Sequence, residues 1–262
     1  MVEQLRVEYP QSVSKACRIL KMSRSTLHYK SIKDDNFFIT ALGSLAEKHP
    51  REGFWKSYGR LRNKGVVVNH KKLYRIYKSI GLAMRRKYKK RLPKREKMPL
   101  VIPSKFTQSW SIDFTSDVLE NGRKFRSFNV IDDYNREVLF ISRVVWVLNH
   151  LIGRYGKPQS IRMDNGPELI AGLMTHWSKA NNITFQYIEP GKPMQNGYIE
   201  RFNRTYRENV LDSYIFESLE DVREITDEFV KDYNEERPHE SLAGLSPVKY
   251  REMEKQKLAV LN

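Results

Sequence analysis

The sequence predicts an α/β domain, built on a mixed sheet with helices on both faces, that follows an all-α region rich in lysine and arginine. Near Gln108 the spacing of apolar residues changes from a helical period to strict alternation. From there the predicted order is three strands and then helix, strand, helix, strand, helix. The charge also divides near this point, since residues 1–100 carry 26 Lys+Arg and 7 Asp+Glu, whereas residues 101–262 carry 21 and 24. A basic region beside a near-neutral one indicates a polyanion-binding arm on a separate working domain.

Length and composition exclude several classes of protein. A chain of 262 residues with a net charge of +16 fits two compact domains. Its single cysteine, Cys17, excludes a disulfide scaffold and a cysteine-rich zinc site. We find no run of about 18 apolar residues and no signal-peptide layout at the start, so we expect no membrane span and a cytoplasmic protein.

Residues 1–34 are predicted to form a helix-turn-helix. Ser12 or Ser14 can cap a helix that runs to about Lys21, and Ser23 can cap a second helix from Arg24 to Lys30. The second helix would present its outer face to base edges or phosphates. The candidate DNA-binding residues on that face are Arg24, Ser25 and His28. An ordinary helical hairpin is the alternative interpretation, and Cys17 is expected to be buried in either case.

A second helix-turn-helix-like domain is predicted over residues 35–84. In its last helix Asn69 is the N-cap, and an apolar stripe consists of Leu73, Ile76, Tyr77 and Ile80. The opposite face is basic and carries the candidate DNA contacts Lys71, Lys72, Arg75 and Lys78. A solvated charged face is the simpler alternative for one helix, but the positive charge continues into the next segment.

Residues 85–104 are predicted to be a basic linker. Positions 85–97 hold nine cations and one anion, a density of charge that favours an extended segment in contact with phosphates. Arg85, Arg86 and Lys87 begin this run and are further candidate DNA contacts.

The α/β domain is predicted over residues 105–252, with a tail at 253–262. The predicted strands are Trp110–Thr115, Lys124–Ile131, Glu137–Ile141, Ser160–Met163 and Thr184–Ile188, with a hairpin turn at Asn121-Gly122. The predicted helices are Ser142–Tyr155, Leu169–Asn181, Gln195–Leu211 and Leu219–Glu235. This order is the arrangement of a ribonuclease-H-like domain.

Three carboxylates stand out by their predicted positions. Asp113 lies within the first strand, Asp164 ends the fourth strand, and Glu200 lies on the helix after the fifth, on the side opposite its apolar stripe. Open α/β sheets place their sites at strand ends, and oxygen donors of this kind suit two Mg²⁺ or Mn²⁺ ions. Any one of the three taken alone is better interpreted as an ordinary surface or turn carboxylate. The same interpretation applies to the other acidic residues nearby, Asp117, Asp132, Asp133 and Glu168. The prediction therefore depends on the joint placement of the three.

Four segments resemble the retroviral-integrase superfamily, and in particular the transposase encoded by the second reading frame of the insertion-sequence-three family. They are Trp-Ser-Ile-Asp-Phe (110–114), Arg-Met-Asp-Asn-Gly-Pro-Glu (162–168), the run from Pro190 to Arg204, and Tyr-Asn-Glu-Glu-Arg-Pro-His-Glu-Ser-Leu (233–242). The resemblance covers nearly the whole chain. It implies that Asp113, Asp164 and Glu200 are a metal-binding catalytic triad.

The resemblance also implies an activity and its partners. The expected chemistry is metal-dependent DNA strand cleavage followed by strand transfer, with two Mg²⁺ or Mn²⁺ ions. The expected partners are double-stranded DNA, both element ends and target, a homo-oligomer assembled on it at the nucleoid, and an upstream-frame protein or fusion. Two alternatives remain: a non-catalytic DNA-binding remnant or repressor, and a related nuclease of the same fold.

Residues beside the triad are assigned lesser roles. Lys192 and Arg204 are candidate phosphate contacts, whereas Gln195 and Asn196 would touch DNA or order the loop before the catalytic helix. His239 is expected to serve a structural turn rather than a proton transfer. The third strand is predicted to end at Ile141 with a helix starting directly at Ser142, so we expect a loop to be missing there and activity to be impaired.

Overall fold

The computed structural model describes residues 13–25, 34–83, 103–142, 147–164, 172–189 and 193–261. The chain divides into two compact units, residues 1–41 and 42–262. The first unit contains α1 (Val13–Ile19), in which Cys17 is buried as predicted. A helix starts again at Arg24, and the predicted contact His28 lies outside the described residues.

Three further described helices lie between α1 and the sheet: α2 (Asn36–Lys48), α3 (Phe54–Asn63) and α4 (His70–Ser79). The predicted N-cap of α4 is confirmed, because the side chain of Asn69 accepts a hydrogen bond from the backbone N–H of Lys71 at 2.8 Å. Three of the four residues of the apolar stripe are confirmed, since Leu73, Ile76 and Tyr77 are buried, whereas Ile80 is half-buried at the C-cap. Residues 84–102, which include most of the predicted linker, lie outside the described ranges.

The sheet consists of β1 (Ser109–Val118), β2 (Lys124–Asp132), β3 (Val138–Ser142), β4 (Ser160–Met163) and β5 (Thr184–Tyr187), in the order β3-β2-β1-β4-β5. The first three strands are antiparallel neighbours, and β4 and β5 run parallel to β1. The remaining described α-helices are α5 (Val147–Tyr155), α6 (Gly172–Ala180), α7 (Gly197–Tyr206), α8 (Leu219–Lys231) and α9 (Pro247–Leu261).

Apolar side chains cover both faces of the sheet. One cluster joins Trp110 and Ile112 of β1 to Leu148 and Leu151 of α5. The other cluster packs the sheet against α7 and α8, with Ile199, Phe202 and Tyr206 of α7 almost fully buried. A mixed sheet between two helical layers is the predicted fold class, which is confirmed.

The predicted direct junction between strand and helix at Ile141–Ser142 is wrong. Strand β3 continues through Ser142, which pairs with Phe128 of β2, whereas α5 is described only from Val147. The antiparallel ladder satisfies the backbone of Ser142, and this tertiary pairing outweighs the helical spacing of apolar residues that follows it. Residues 143–146 lie outside the described ranges.

The C-terminal part contains features that the sequence did not predict. Helices α7 and α8 each continue into a π-helical turn, Arg207–Leu211 and Asp232–Glu236. After the second turn the chain reverses near Ala243, which has a φ of 54°, and Gly244, and α9 then crosses the predicted tail boundary at residue 252. Among the described helices, none is both long and apolar enough to cross a membrane.

Candidate active site

The three predicted carboxylates come from adjacent elements of the structure. Asp113 is half-buried in the middle of β1. Asp164 follows directly after β4, which pairs with β1, and Glu200 lies in the first turn of α7, which packs on β1 and β2. The charges of Asp164 and Glu200 both act on the Asp113 carboxyl. The predicted trio therefore lies close enough together for Asp164 and Glu200 to act electrostatically on Asp113.

The local environment of Asp113 disfavours its charged form. Burial, partly opposed by a hydrogen bond from the backbone N–H of Phe114 and assisted by the charges of Asp164 and Glu200, raises its pKa to about 6. Burial also raises the pKa of Glu200, although the charge of Arg204 opposes this effect. A carboxyl group beside two other carboxylates is favoured in its ionised form by a bound cation.

Two asparagine side chains hold Asp113 in position. Asn203, one turn after Glu200 on α7, donates a hydrogen bond from Nδ2 to Asp113 Oδ2 at 2.7 Å. Asn129 of β2, the cross-strand partner of Asp113, donates from its Nδ2 to Asn203 Oδ1 and to Thr115 Oγ1, both at 2.8 Å. The sequence interpretation missed this role, although the spacing of three from Glu200 and the polar Asn129 in an apolar strand were signals for it.

The start of α7 differs in part from its prediction. Asn196, expected on the exposed face, is only 2% exposed, because a 3₁₀ turn over Pro193–Asn196 takes it out of helical phase with the residues that follow. Gln195 is half-buried and its side-chain amide bonds Glu189, accepting from the backbone N–H at 2.8 Å and donating to the carboxylate at 3.1 Å. Gln195 thus orders this loop, one of its two predicted roles.

The neighbouring Asp132 and Asp133 have structural roles. Asp132 is fully buried and accepts hydrogen bonds from the backbone N–H groups of Thr107 and Tyr134, as expected for a turn-capping residue. Asp133 is also buried, accepts hydrogen bonds from two serine hydroxyls and pairs with Arg162 at 3.2 Å. Neither carboxylate is available to the site.

The predicted DNA-contact residues differ in their exposure. Those with exposed side chains are Arg24, Ser25, Lys71, Arg75, Lys78 and Arg204, whereas Lys72 is half-buried. Those outside the described ranges are His28, Arg85, Arg86, Lys87 and Lys192. Within the second unit the exposed cations of α4 lie opposite its buried stripe, so this helix presents a basic face to solvent.

A second acidic cluster lies between α3 and the C-terminal part of the chain. The donor atoms of His49, Glu52 and Asp232 lie within 4.8 Å of one another, a spacing that a metal ion could use. Arg60 already fills this position, because its guanidinium forms two hydrogen bonds with Glu52, at 2.8 and 3.0 Å, and two with Asp232, both at 2.7 Å. Arg237 binds Glu52 from the other side at 2.6 Å. The cluster is an ion-pair network that joins α3 to the segment after α8.

The sheet order and the gathered carboxylates define the class of protein as ribonuclease-H-like, of the integrase type. Two models of the integrase core domain match the chain, one over residues 103–193 and the other over residues 181–247. The chain belongs to the DDE transposases of the retroviral-integrase superfamily. This family acts on DNA in transposition and generally depends on divalent metal ions.

The chain is similar to proteins of several insertion elements and, more distantly, to one solved structure. The chain is 36% identical to a 31.7 kDa protein of insertion element IS407 from Burkholderia multivorans, over 91% of this chain and 90% of that protein. It is 33% identical to a protein of insertion element IS476 from Xanthomonas euvesicatoria, over 92% and 72%. It is 22% identical to the putative transposase InsK of element IS150 from Escherichia coli, over 96% of each chain. Among solved structures, the catalytic core domain of BIV integrase aligns with 58% of this chain and 99% of that one, at 20% identity and a TM-score of 0.44.

Proposed function

We propose that this protein is an active DNA transposase in which Asp113, Asp164 and Glu200 form the catalytic centre. The observation that carries the proposal is the placement of these three carboxylates on adjacent elements of the fold. Burial, assisted by the charges of Asp164 and Glu200, raises the pKa of Asp113 to about 6. The proposed reaction has two steps. Water cleaves one DNA strand at the element end, and the freed 3′-hydroxyl then attacks a phosphodiester of the target.

The residues present fit a site for two divalent cations. Asp113, Asp164 and Glu200 supply the carboxylate oxygens that Mg²⁺ and Mn²⁺ prefer, and bound cations would relieve the repulsion among them. Such ions would activate the attacking oxygen and stabilise the leaving oxygen of the phosphodiester. Asn203 contributes by fixing the orientation of Asp113, and the buried stripe of α7 fixes the position of Glu200.

Basic surfaces of the chain would hold the DNA. We assign phosphate contacts to the exposed face of α4 and, beside the catalytic centre, to the exposed Arg204 of α7. We assign further contacts with the same duplex to Arg24 and Ser25 of the predicted helix-turn-helix and to the linker cations that begin at Arg85. Pairing two element ends requires at least two copies of the chain on DNA, so we also propose a homo-oligomer. We place it at the nucleoid.

A cleavage assay with a labelled duplex that carries the element end tests this proposal. The full chain with Mg²⁺ should release the 3′ end and then join it to target DNA, and Asp164→Asn should abolish both products while it leaves DNA binding intact. Asp117→Asn is the matched control, since Asp117 also lies on β1, four residues after Asp113, where its carboxylate accepts a hydrogen bond from the backbone N–H of Val118. Equal product from wild type and Asp164→Asn would refute the assigned centre.

The same assay separates the two alternatives. Cleavage without joined products, in the presence of target DNA, would indicate a nuclease of the same fold. Binding of end DNA with neither cleavage nor Mn²⁺ binding would indicate a DNA-binding repressor or remnant.

A further inference from the structure

A cationic cleft lies beside Glu200, between α3, the turn after β2, α7 and the segment after α8. Its volume is about 500 Å³. Four cations line it, Lys56, Arg136, Arg201 and Arg237, against two carboxylates, Glu200 and Glu240. None of these four cations was among the residues that the sequence indicated as DNA contacts. The cleft is therefore a positively charged site that the predicted contacts do not explain.

Arg136 is the most unusual of these cations. Its guanidinium lies 3.4 Å from the centre of the Tyr198 ring, and its Nη1 atom is buried with no hydrogen-bond partner among the described atoms. Its backbone has a φ of 65°, held by a hydrogen bond from its N–H to the carbonyl of Asp132 at 2.9 Å. A buried guanidinium nitrogen without an acceptor is costly, and an anion in the cleft would supply that acceptor.

Lys56 and Arg201 add positive charge to the same cleft. Lys56 donates from Nζ to the backbone carbonyl of Pro238, and it makes none of the ion pairs found among the described residues. Burial, followed by the charge of Arg237, lowers the pKa of Lys56 to about 8. Arg201 is exposed, next to Glu200 on α7. Arg237 is different, because it already binds Glu52. Three cations of the cleft therefore form none of the salt bridges found among the described residues, although the charges of Glu52 and Glu240 do act on Lys56.

We propose that this cleft binds a backbone phosphate of the DNA next to the phosphate at which the carboxylates act, with Arg136 as its principal ligand. This inference rests on the proposed function. A guanidinium held over an aromatic ring is pre-organised to present its nitrogens to a phosphate oxygen, so little side-chain entropy is lost on binding. Because Lys56 belongs to α3 and Glu200 to α7, the bound phosphate would join the helical region to the catalytic helix.

The test measures duplex DNA binding as a function of salt, with EDTA present so that no cleavage occurs. The probe is a fluorescently labelled duplex of arbitrary sequence, read by anisotropy with the full chain. Each phosphate contact contributes about −0.9 to the slope of log K against log salt. Arg136→Gln should lower the magnitude of this slope by about one and weaken binding about tenfold at low salt. Arg136→Lys should recover part of the slope, since it restores the charge but not the planar group.

Two further variants control for charge and folding. Arg223→Gln removes one charge from an exposed arginine that pairs with Glu220 on α8 and does not line the cleft, and its slope should match wild type. Arg201→Gln changes an exposed side chain, so it carries the test if Arg136→Gln fails to fold. A slope equal to that of Arg223→Gln in a folded Arg136→Gln, or in Arg201→Gln where Arg136→Gln does not fold, would overturn the proposal.

The outcome is separable from that of the proposed function. A lowered slope in a protein that cleaves nothing with Mg²⁺ would support the phosphate site and refute the catalytic assignment. Normal triad-dependent cleavage with unchanged slopes would leave the catalytic assignment intact and refute the cleft alone.

Discussion

Substitution of Arg60 should destabilise the protein through its contact between α3 and the segment after α8. The exposed fraction of the side chain is 1% for Arg60, 3% for Glu52 and 16% for Asp232. The four hydrogen bonds of the Arg60 guanidinium satisfy both carboxylates. Removing one partner of a buried ion pair costs about 3–5 kcal/mol because the remaining charge stays uncompensated. The partial exposure of Asp232 favours the lower end, about 3 kcal/mol.

Thermal unfolding of Arg60→Met measures this cost. Methionine retains most of the apolar stem, so the loss reports the guanidinium rather than a cavity. For a unit of this size about 1 kcal/mol shifts the midpoint by about 2–4 °C, which predicts a decrease of about 6–12 °C at pH 7. Arg62→Met is the control, because Arg62 is exposed on the same helix and should change the midpoint by less than about 2 °C. A comparably small change in Arg60→Met would refute the reasoning.

A double substitution tests the cause of the loss. If an unpaired carboxylate is responsible, Asp232→Asn in the Arg60→Met background should recover part of the midpoint, because Asp232 loses both of its hydrogen bonds from Arg60 whereas Glu52 still binds Arg237. If the double variant is less stable than Arg60→Met by the full effect of Asp232→Asn alone, the two side chains act independently and the ion-pair account fails.

The remaining predictions concern pH, packing and the support of Asp113. Burial alone would raise the pKa of both Glu52 and Asp232, but their hydrogen bonds and charge interactions with Arg60 outweigh it and leave each pKa below its ordinary value. The stability that the two carboxylates provide is therefore complete above about pH 4.5 and is lost as the pH falls further. The difference in unfolding midpoint between wild type and Arg60→Met should shrink in acid, and a constant difference would contradict this account. Gly59→Ala would place a Cβ 2.9 Å from two carbon atoms of Pro238 and should lower the free energy of unfolding by about 1–3 kcal/mol in a denaturant titration. Gly43→Ala, with no atom within 4 Å of its Cβ, should instead stabilise α2 by about 0.5–1 kcal/mol. Equal effects of the two substitutions would contradict the close contact between Gly59 and Pro238. Asn203→Ala should weaken Mn²⁺ binding about 10–100-fold in a calorimetric titration, and an unchanged titration would exclude the positioning role.

Local sequence patterns predicted most of the α/β elements. Alternation in β1, the Asn121-Gly122 turn and the stripe of α7 each depend on residues close in the chain, and all three agree with the structure. The boundary of β3 depended on pairing with β2, which no local window contains, so the predicted helix began too early. The π-helical turns and the exact course of α9 are set by tertiary packing in the same way.

The candidate site was only partly accessible to sequence reasoning. The positions of Asp113, Asp164 and Glu200 followed from strand ends and helix faces. The contact of Asn203 with Asp113 joins residues 90 positions apart. The contact of Arg136 with the Tyr198 ring joins residues that are separated in the sequence by strands β3, β4 and β5 and by the helices between those strands. Burial of Asn196 arose from a 3₁₀ turn that helical periodicity does not anticipate. Such contacts depend on how elements pack, whereas the pattern within each element reports only which face it buries.

The distance in sequence between Arg60 and Asp232 has a consequence for how the protein is made. The two residues are 172 positions apart, so at about 5–20 residues per second the ribosome needs roughly 10–30 s after Arg60 before Asp232 exists. During that interval the guanidinium has Glu52 as its partner but not the second carboxylate. Any polypeptide that ends before Asp232 contains the basic helices but lacks the second carboxylate that binds Arg60. The ion pair therefore makes this attachment of the helical region conditional on synthesis of the chain through Asp232, after the catalytic carboxylates have been made.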